Sequence, residues 1–266
     1  MKILIIGGGN MGITYAHAFL RSRITSREDL MILEKSSEKW PELERQDVGS
    51  VCRRPEDCLA GSDLVILAVK PQDAPDLFVK IRPMVDPQQV FLSIMAGVRM
   101  RTICEGLGLR KVIRAMPNLP AQIGMGMTAF TSTDEVTRIE LVTVQNLINT
   151  TGKSVYVEDE ALIDAATAIS GSGPAYVWFF MQAMIRAATE AGFSEAAAEL
   201  LVGQTFQGAI DLYHQYDFSC QEWIRKVASK GGTTEAALAS FEQSDLFNHI
   251  LRGVEAARAR AQALGS

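Results

Sequence analysis

Lys2-Ile3-Leu4-Ile5-Ile6-Gly7-Gly8-Gly9-Asn10-Met11-Gly12 opens the chain. The apolar run reads as a buried strand, and the glycines at Gly7, Gly9 and Gly12 fall in the pattern G-x-G-x-x-G. Alone that pattern is common. Here it follows a strand and opens a helix expected over residues 11–21, which is the context in which it holds a dinucleotide. Gly7 turns the chain, Gly9 lets a pyrophosphate approach the backbone, and Gly12 lets helix pack on strand. Asn10 and Met11, between them, belong to the same cofactor-binding turn.

The rhythm of strand and helix continues outward. Leu30-Met31-Ile32-Leu33 reads as a second strand ending on Glu34, where an acidic residue accepts hydrogen bonds from the adenosine ribose. A carboxylate there repels a 2′-phosphate by about 4 kcal/mol at ~4 Å and an effective dielectric of ~20, before screening. Lys35, Ser36 and Lys39 follow at once, with Arg53-Arg54 further on, and these groups suit a phosphate. The charges pull both ways, so NADH and NADPH both fit, with a slight tilt to NADH. A short strand is expected at 48–51 and a helix at 55–60, with Pro55 near its first turn. Leu64-Val65-Ile66-Leu67-Ala68-Val69 is a fully apolar strand of the buried parallel type. Ligands of doubly wound sheets bind at the carboxyl ends of strands, so Ala68-Val69-Lys70-Pro71 forms a wall for the cofactor. A strand at 90–94 leads to Met95-Ala96-Gly97-Val98, where Ala96 and Gly97 leave space for a nicotinamide ring. Another at 111–115 runs into Met116-Pro117-Asn118-Leu119-Pro120, a rigid non-helical segment. Two extra strands at 127–131 and 153–157 flank a helix over 134–149. Strands alternating with helices imply a parallel sheet.

A chain of 266 residues can bury a full core and divides naturally in two. With 47% hydrophobic and 21% charged residues, its composition is that of an ordinary globular protein. A net charge of −5 points to neither nucleic acid nor an anionic membrane as partner. No apolar run reaches membrane-spanning length. The N-terminus begins a strand without a signal-peptide layout, which implies a cytoplasmic protein. Cys52, Cys58, Cys104 and Cys220 lack metal-ligand spacing and suit reduced thiols, so no metal site is expected. None of the histidines, His17, His214 and His249, neighbours an obvious nucleophile, which argues against a Ser-His-Asp hydrolase.

After residue 157 the strand signal stops. The chain therefore reads as a dinucleotide-binding domain over 1–157 and an all-helical domain over 158–266. A helix at 161–169 precedes Ser170-Gly171-Ser172-Gly173-Pro174-Ala175-Tyr176, which reads as a break between helices. Residues 175–191 are apolar on nearly every face, as in Val177-Trp178-Phe179-Phe180-Met181, and such a helix has to be buried. In a domain this small the easiest place to bury it is between two subunits. Further helices are expected at 194–213 and 245–263. Between them lies Val227-Ala228-Ser229-Lys230-Gly231-Gly232-Thr233-Thr234-Glu235. Its glycines let the backbone approach a ligand, and the free amides of the following helix accept an anion without a cationic side chain. It reads as a cup for a substrate carboxylate.

Taken in order, the glycine turn, Ala68-Val69-Lys70-Pro71, Ser93-Ile94-Met95-Ala96-Gly97-Val98, Arg114-Ala115-Met116-Pro117-Asn118, the Ser170–Tyr176 segment and Ser229-Lys230-Gly231-Gly232-Thr233-Thr234 resemble pyrroline-5-carboxylate reductases, from Lys2 to about Arg258. The last two motifs are the most specific. The resemblance implies that Thr234 contacts the substrate ring nitrogen and that Ser229, Gly232 and Thr233 hold its carboxylate, with Gly231 in the same amide cup. Glu160 falls where the family has an acidic residue near the substrate, and Lys226 where some relatives carry asparagine on the substrate side. It also implies an intertwined homodimer, often assembled further, in which the loop of one subunit completes the partner's site. Several positions depart from the family. Lys230 stands for a common proline, Leu119 for threonine, Pro55 for an asparagine that touches the adenosine ribose, and Glu34 for polar or basic residues.

The chemistry so implied is reduction of a cyclic imino acid. A protonated imine is already electrophilic, so the protein needs orientation and a proton relay more than a base. Two other readings remain open at this level. A β-hydroxyacid-type dehydrogenase needs a base, and the helix after Gly173 lacks the lysine that such enzymes carry. A non-catalytic dinucleotide sensor has no need of a carboxylate cup.

Overall fold

The computed structural model describes residues 1–264. Among them the first half forms β1 (Ile3–Ile6), α1 (Asn10–Arg21), β2 (Leu30–Leu33), α2 (Trp40–Gln46), β3 (Ser50–Cys52), β4 (Leu64–Leu67), α3 (Ala74–Ile81), β5 (Val90–Ser93), α4 (Met100–Leu107), β6 (Val112–Met116), β7 (Gly126–Ser132), α5 (Arg138–Asn149) and β8 (Gly152–Tyr156). The second half is helical: α6 (Ala161–Ala166), α7 (Gly173–Glu190), α8 (Glu195–Gln215), α9 (Cys220–Val227), α10 (Thr233–Gln243) and α11 (Leu246–Leu264). No helix among the described residues is long and apolar enough to cross a membrane.

The strands make one sheet in the order β3-β2-β1-β4-β5-β6-β7-β8. The order reverses at β1 and β4, which opens a crevice at their carboxyl ends, where dinucleotides bind in this fold class. Period-two alternation feeds both faces. Ile3 and Ile5 pack with Tyr15 and Phe19 of α1 and Leu147 of α5, while Leu4 and Ile6 pack with Phe78 of α3 and Ile103 of α4. That is why β1 and β4 are apolar at every position.

The sheet departs from the expected all-parallel form in one place. β7 runs antiparallel to β6. Only a 3-10 turn (Leu119–Ile123) joins them, and a parallel return needs a crossover of a dozen or more residues. β8 returns parallel to β7, with α5 between them in sequence. The helix expected at 55–60 is likewise a single 3-10 turn, Pro55–Asp57. The expected break at Ser170–Tyr176 is milder than it reads. A π-helical turn, Thr167–Gly171, leads almost directly into α7.

The chain separates into two compact units, Met1–Ser172 with the tail from Ala257, and Gly173–Ala256. The sequence places the change of class after residue 157, but α6 stays with the sheet because Asp164 is buried against Arg114 of β6. The helical unit lacks a closed core of its own. α7 has no buried residue, with Phe179 71% and Trp178 52% exposed, and α8 buries only Ala198 and Val202. A face this apolar and this open marks an association surface.

Candidate active site

The glycine turn is built as a cradle. Gly7 has φ +112°, and a β-carbon there would lie 2.6 Å from the Ala68 carbonyl oxygen. The turn can therefore run close past the end of β4 only with glycine at this position. A β-carbon on Gly12 would lie 2.1 Å from the Gly7 carbonyl oxygen, so this position seats α1 against the turn. Gly9 differs from both, since a β-carbon there meets nothing within 4 Å. It caps α1, whose first turn carries no acidic residue, and the amides after it are open to an anion. This arrangement fits a dinucleotide pyrophosphate. An open cleft of about 680 Å³ lies beside the turn, lined by Gly8, Gly9, Asn10, Lys39 and Leu43 among others. A second, of about 440 Å³, lies at the opposite, amino end of the strands around Asp63 and Gln89, away from where this fold binds ligands.

Glu34 lies at the carboxyl end of β2 and is 4% exposed. Its Oε2 accepts from the Gly8 amide at 2.9 Å, and its Oε1 accepts from the Ser36 amide at 2.9 Å. Lys39 Nζ is 3.4 Å from Oε2, and the Trp40 indole donates to the Glu34 carbonyl at 2.8 Å. Lys35 donates to Asp73 at 2.6 Å, and that hydrogen bond holds its ammonium above the usual lysine range. Ala68, Val69, Lys70 and Pro71 follow β4 directly, beside the turn, as the sequence implies, with Lys70 exposed.

The loop after β5 carries Ala96 and Gly97, the latter with φ +78°. Its far end is fastened in a way the sequence does not announce. Glu160 Oε1 accepts from the Met100 amide at 2.8 Å, at the start of α4, and from Arg114 Nη1 at 3.0 Å. Arg114 Nη2 donates to Asp164 at 2.6 Å. The Arg114 and Asp164 side chains are 1% and 3% exposed, and that of Glu160 24%. Glu160 is thus held as an anchor of the 95–100 loop. Asn118 makes a second tie, donating to the Ser170 carbonyl at 3.0 Å and accepting from the Met127 amide at 2.9 Å. The signal for Arg114 is present in the sequence: a single guanidinium inside an apolar strand has to find buried acids.

In the helical unit, Gly231 has φ +74° and Gly232 caps α10. Thr233 and Thr234 are the first two helical residues, so their amides have no partner within the helix. Thr234 is half-buried. A β-carbon on Gly232 would lie 2.6 Å from the Ser229 hydroxyl, which keeps the loop tightly folded. Two expected contacts are already engaged otherwise. The Gly231 amide donates to Glu235 Oε2 at 2.6 Å, so that amide is filled by the chain's own carboxylate. Lys226 Nζ lies 4.4 Å from the Phe218 ring centre, a cation–π contact within a cluster that includes Trp223.

A doubly wound sheet with an open glycine cradle, an acid at the end of β2 and a helical unit with an exposed apolar face defines a dinucleotide-dependent oxidoreductase with an association domain. Comparison with known proteins narrows this. Residues 160–264 match the family described as pyrroline-5-carboxylate reductase dimerisation, and residues 2–97 match the family described as NADP oxidoreductase, coenzyme F420-dependent. The chain is 35% identical to pyrroline-5-carboxylate reductase 2 of Bacillus subtilis, covering 96% of this chain and 91% of that protein. It is 31% identical to the pyrroline-5-carboxylate reductase of Pseudomonas aeruginosa, covering 99% and 96%. The crystal structure of Plasmodium falciparum pyrroline carboxylate reductase with NADP bound superposes with TM-score 0.91 at 28% identity, covering 100% of this chain and 98% of that one. The chain belongs to the pyrroline-5-carboxylate reductase family. Its helical part is the dimerisation domain, so the protein is a homo-oligomer.

Proposed function

We infer that the chain reduces 1-pyrroline-5-carboxylate to L-proline, the last step of proline biosynthesis, using NADH or NADPH. The observation that carries this reading is the start of α10, where a tight Ser229–Gly232 loop presents the Thr233 and Thr234 amides and a half-buried Thr234 hydroxyl together. Two such amides hold a carboxylate, and the hydroxyl then stands one residue away, ready for the ring nitrogen. Ser229 and Gly232 shape the loop, and the Gly231 amide becomes a further donor when Glu235 swings aside. When bound, the reduced nicotinamide supplies the hydride, which goes to the ring carbon of the C=N bond. Thr234 steadies the proton on nitrogen as the imine becomes an amine. Glu160 serves the reaction through the 95–100 loop that it anchors, and that loop walls the nicotinamide side of the crevice.

In the proposed assembly two copies intertwine through the helical region, residues 158–266. The substrate loop of one copy completes the pocket whose cofactor sits on residues 1–157 of the other. The exposed Trp178 and Phe179 supply the apolar surface for that pairing. The reaction belongs in the cytoplasm, with an imino acid as the small-molecule partner.

Purified protein mixed with pyrroline-5-carboxylate and NADH or NADPH should show loss of nicotinamide absorbance with at least one of the two; no oxidation with either rejects the reading. Thr234→Ala removes one hydrogen bond to a charged group, worth about 1.5 kcal/mol or roughly tenfold in kcat, and leaves cofactor binding intact. Unchanged turnover in that variant would take the nitrogen contact away from Thr234.

A further inference from the structure

We propose that Glu34 makes this chain an NADH-selective member of its family, because its buried carboxylate occupies the Gly8 and Ser36 amides at the end of β2 and leaves an acceptor where a 2′-phosphate needs donors. The proposal rests on the reductase reading above and deepens it.

A carboxylate has about four acceptor positions. Here the Gly8 amide, the Ser36 amide and, at longer range, the Lys39 ammonium take three of them. The remaining position, on Oε1, suits a ribose hydroxyl, which has a proton to give. A 2′-phosphate is an acceptor at every oxygen and carries close to two negative charges near neutral pH. Beside Glu34 it meets a fixed like charge, and it finds the Gly8 and Ser36 amides already bonded. The carboxylate cannot simply swing out, because it is buried and pinned from both sides.

The four basic residues that follow β2 and β3 offer no surplus charge. Lys35 is paired with Asp73 at 2.6 Å, Lys39 with Glu34 at 3.4 Å, Arg53 with Glu44 at 3.5 Å and Arg54 with Asp57 at 2.8 Å. The Arg53 guanidinium is also committed to the Trp40 ring, 4.7 Å from its centre. Each of the four cations therefore has a named acid, and the cluster is neutral in sum. Apart from the buried Glu34 these groups are at least partly exposed and the pairs individually weak, so a phosphate could draw one lysine away. It would then leave an acid uncovered beside its own charge. The question that the sequence leaves balanced is thus decided by burial: the acid at the end of β2 is fixed, and the bases are already spent.

Equilibrium binding and steady-state rates with both dinucleotides test this on the full-length protein. The parent should favour NADH over NADPH by about tenfold or more, both in affinity and in kcat/KM. Glu34→Ser should close or invert that gap by raising NADPH affinity. Asp73→Asn, which leaves the buried carboxylate in place and frees Lys35, should improve NADPH binding by a smaller factor while NADH binding holds. A parent that binds NADPH as tightly as NADH, or tighter, overturns the assignment, and so does a Glu34→Ser protein that folds and keeps the parent's preference. Binding requires no turnover, so the two readings fail separately. Loss of both dinucleotides would sink the reductase reading, whereas binding of both with NADPH ahead would sink only the role given to Glu34.

Discussion

The Gly9→Ala protein should fold and melt close to the parent yet bind the dinucleotide about a hundredfold more weakly, near 2.7 kcal/mol. Gly9 has φ −84° and ψ −178°, extended backbone that alanine adopts without strain. Beyond its immediate chain neighbours, its new methyl group would meet no atom of the described residues within 4 Å. The folded state loses only the difference between glycine and alanine as a helix cap, at most about 1 kcal/mol, or roughly 2–4 °C in Tm. The methyl group stands instead in the space over the first amides of α1, where the pyrophosphate must come within hydrogen-bonding distance. Gly12→Ala is the contrasting case. Its methyl group meets the Gly7 carbonyl at 2.1 Å and Ile5 Cγ2 at 3.1 Å, so backbone has to move and stability falls together with binding. Thermal melts and equilibrium dinucleotide titrations of the two variants separate these outcomes. A Gly9→Ala protein with the parent's affinity would show that the pyrophosphate does not cross this residue.

The contrast between these glycines shows how far the sequence carries the reading. The pattern G-x-G-x-x-G places all three and assigns them distinct tasks, and the structure gives close distances at Gly7 and Gly12 and open space at Gly9. Strand positions were legible for a similar reason, because a buried parallel strand has to be apolar throughout. The antiparallel turn of β7 was harder, since it depends on the length of the segment after Met116 and no strand residue encodes it. The anchoring of Glu160 was legible only from its partner's side, since Arg114 in an apolar strand calls for buried acids without saying which. An acid ahead of a helix has the same local signature whether it faces a substrate or an arginine 46 residues earlier in the chain. Lys226 shows the same limit, because its partner Phe218 lies in an aromatic cluster that only packing brings together. Charge balance around Glu34 was undecidable for a related reason. The acids that neutralise Lys35 and Arg53 are Asp73 and Glu44, 38 residues further on and nine residues back, and sequence spacing alone pairs neither.

Arg114 is where that missed information carries the most energy. Replacing it with methionine should destabilise the N-terminal unit by about 3–5 kcal/mol, the usual cost of removing one member of a buried ionic group. The guanidinium lies between Glu160 and Asp164 and is the cation that pairs with both among the described residues. Without it Asp164, 2% exposed, keeps a charge in a site that water does not reach. Glu160 keeps the Met100 amide but loses its other partner, and the start of α4 loosens with it. The loop bearing Ala96 and Gly97 is tied at that end, so the Michaelis constant for the nicotinamide cofactor should rise in whatever fraction stays folded. A second change distinguishes lost charge pairing from lost shape. Arg114→Met combined with Asp164→Leu removes the stranded carboxylate and should recover much of the lost stability, because buried ionic groups replaced by apolar side chains of similar volume are often neutral in cost. The cofactor constant should stay raised in the double variant, because the Glu160 tie remains loosened. Urea titrations of the parent and both variants measure the first effect, and steady-state kinetics measure the second. A single variant as stable as the parent would mean that the two carboxylates need no counter-charge. Normal cofactor kinetics in the double variant would detach the 95–100 loop from Arg114 altogether.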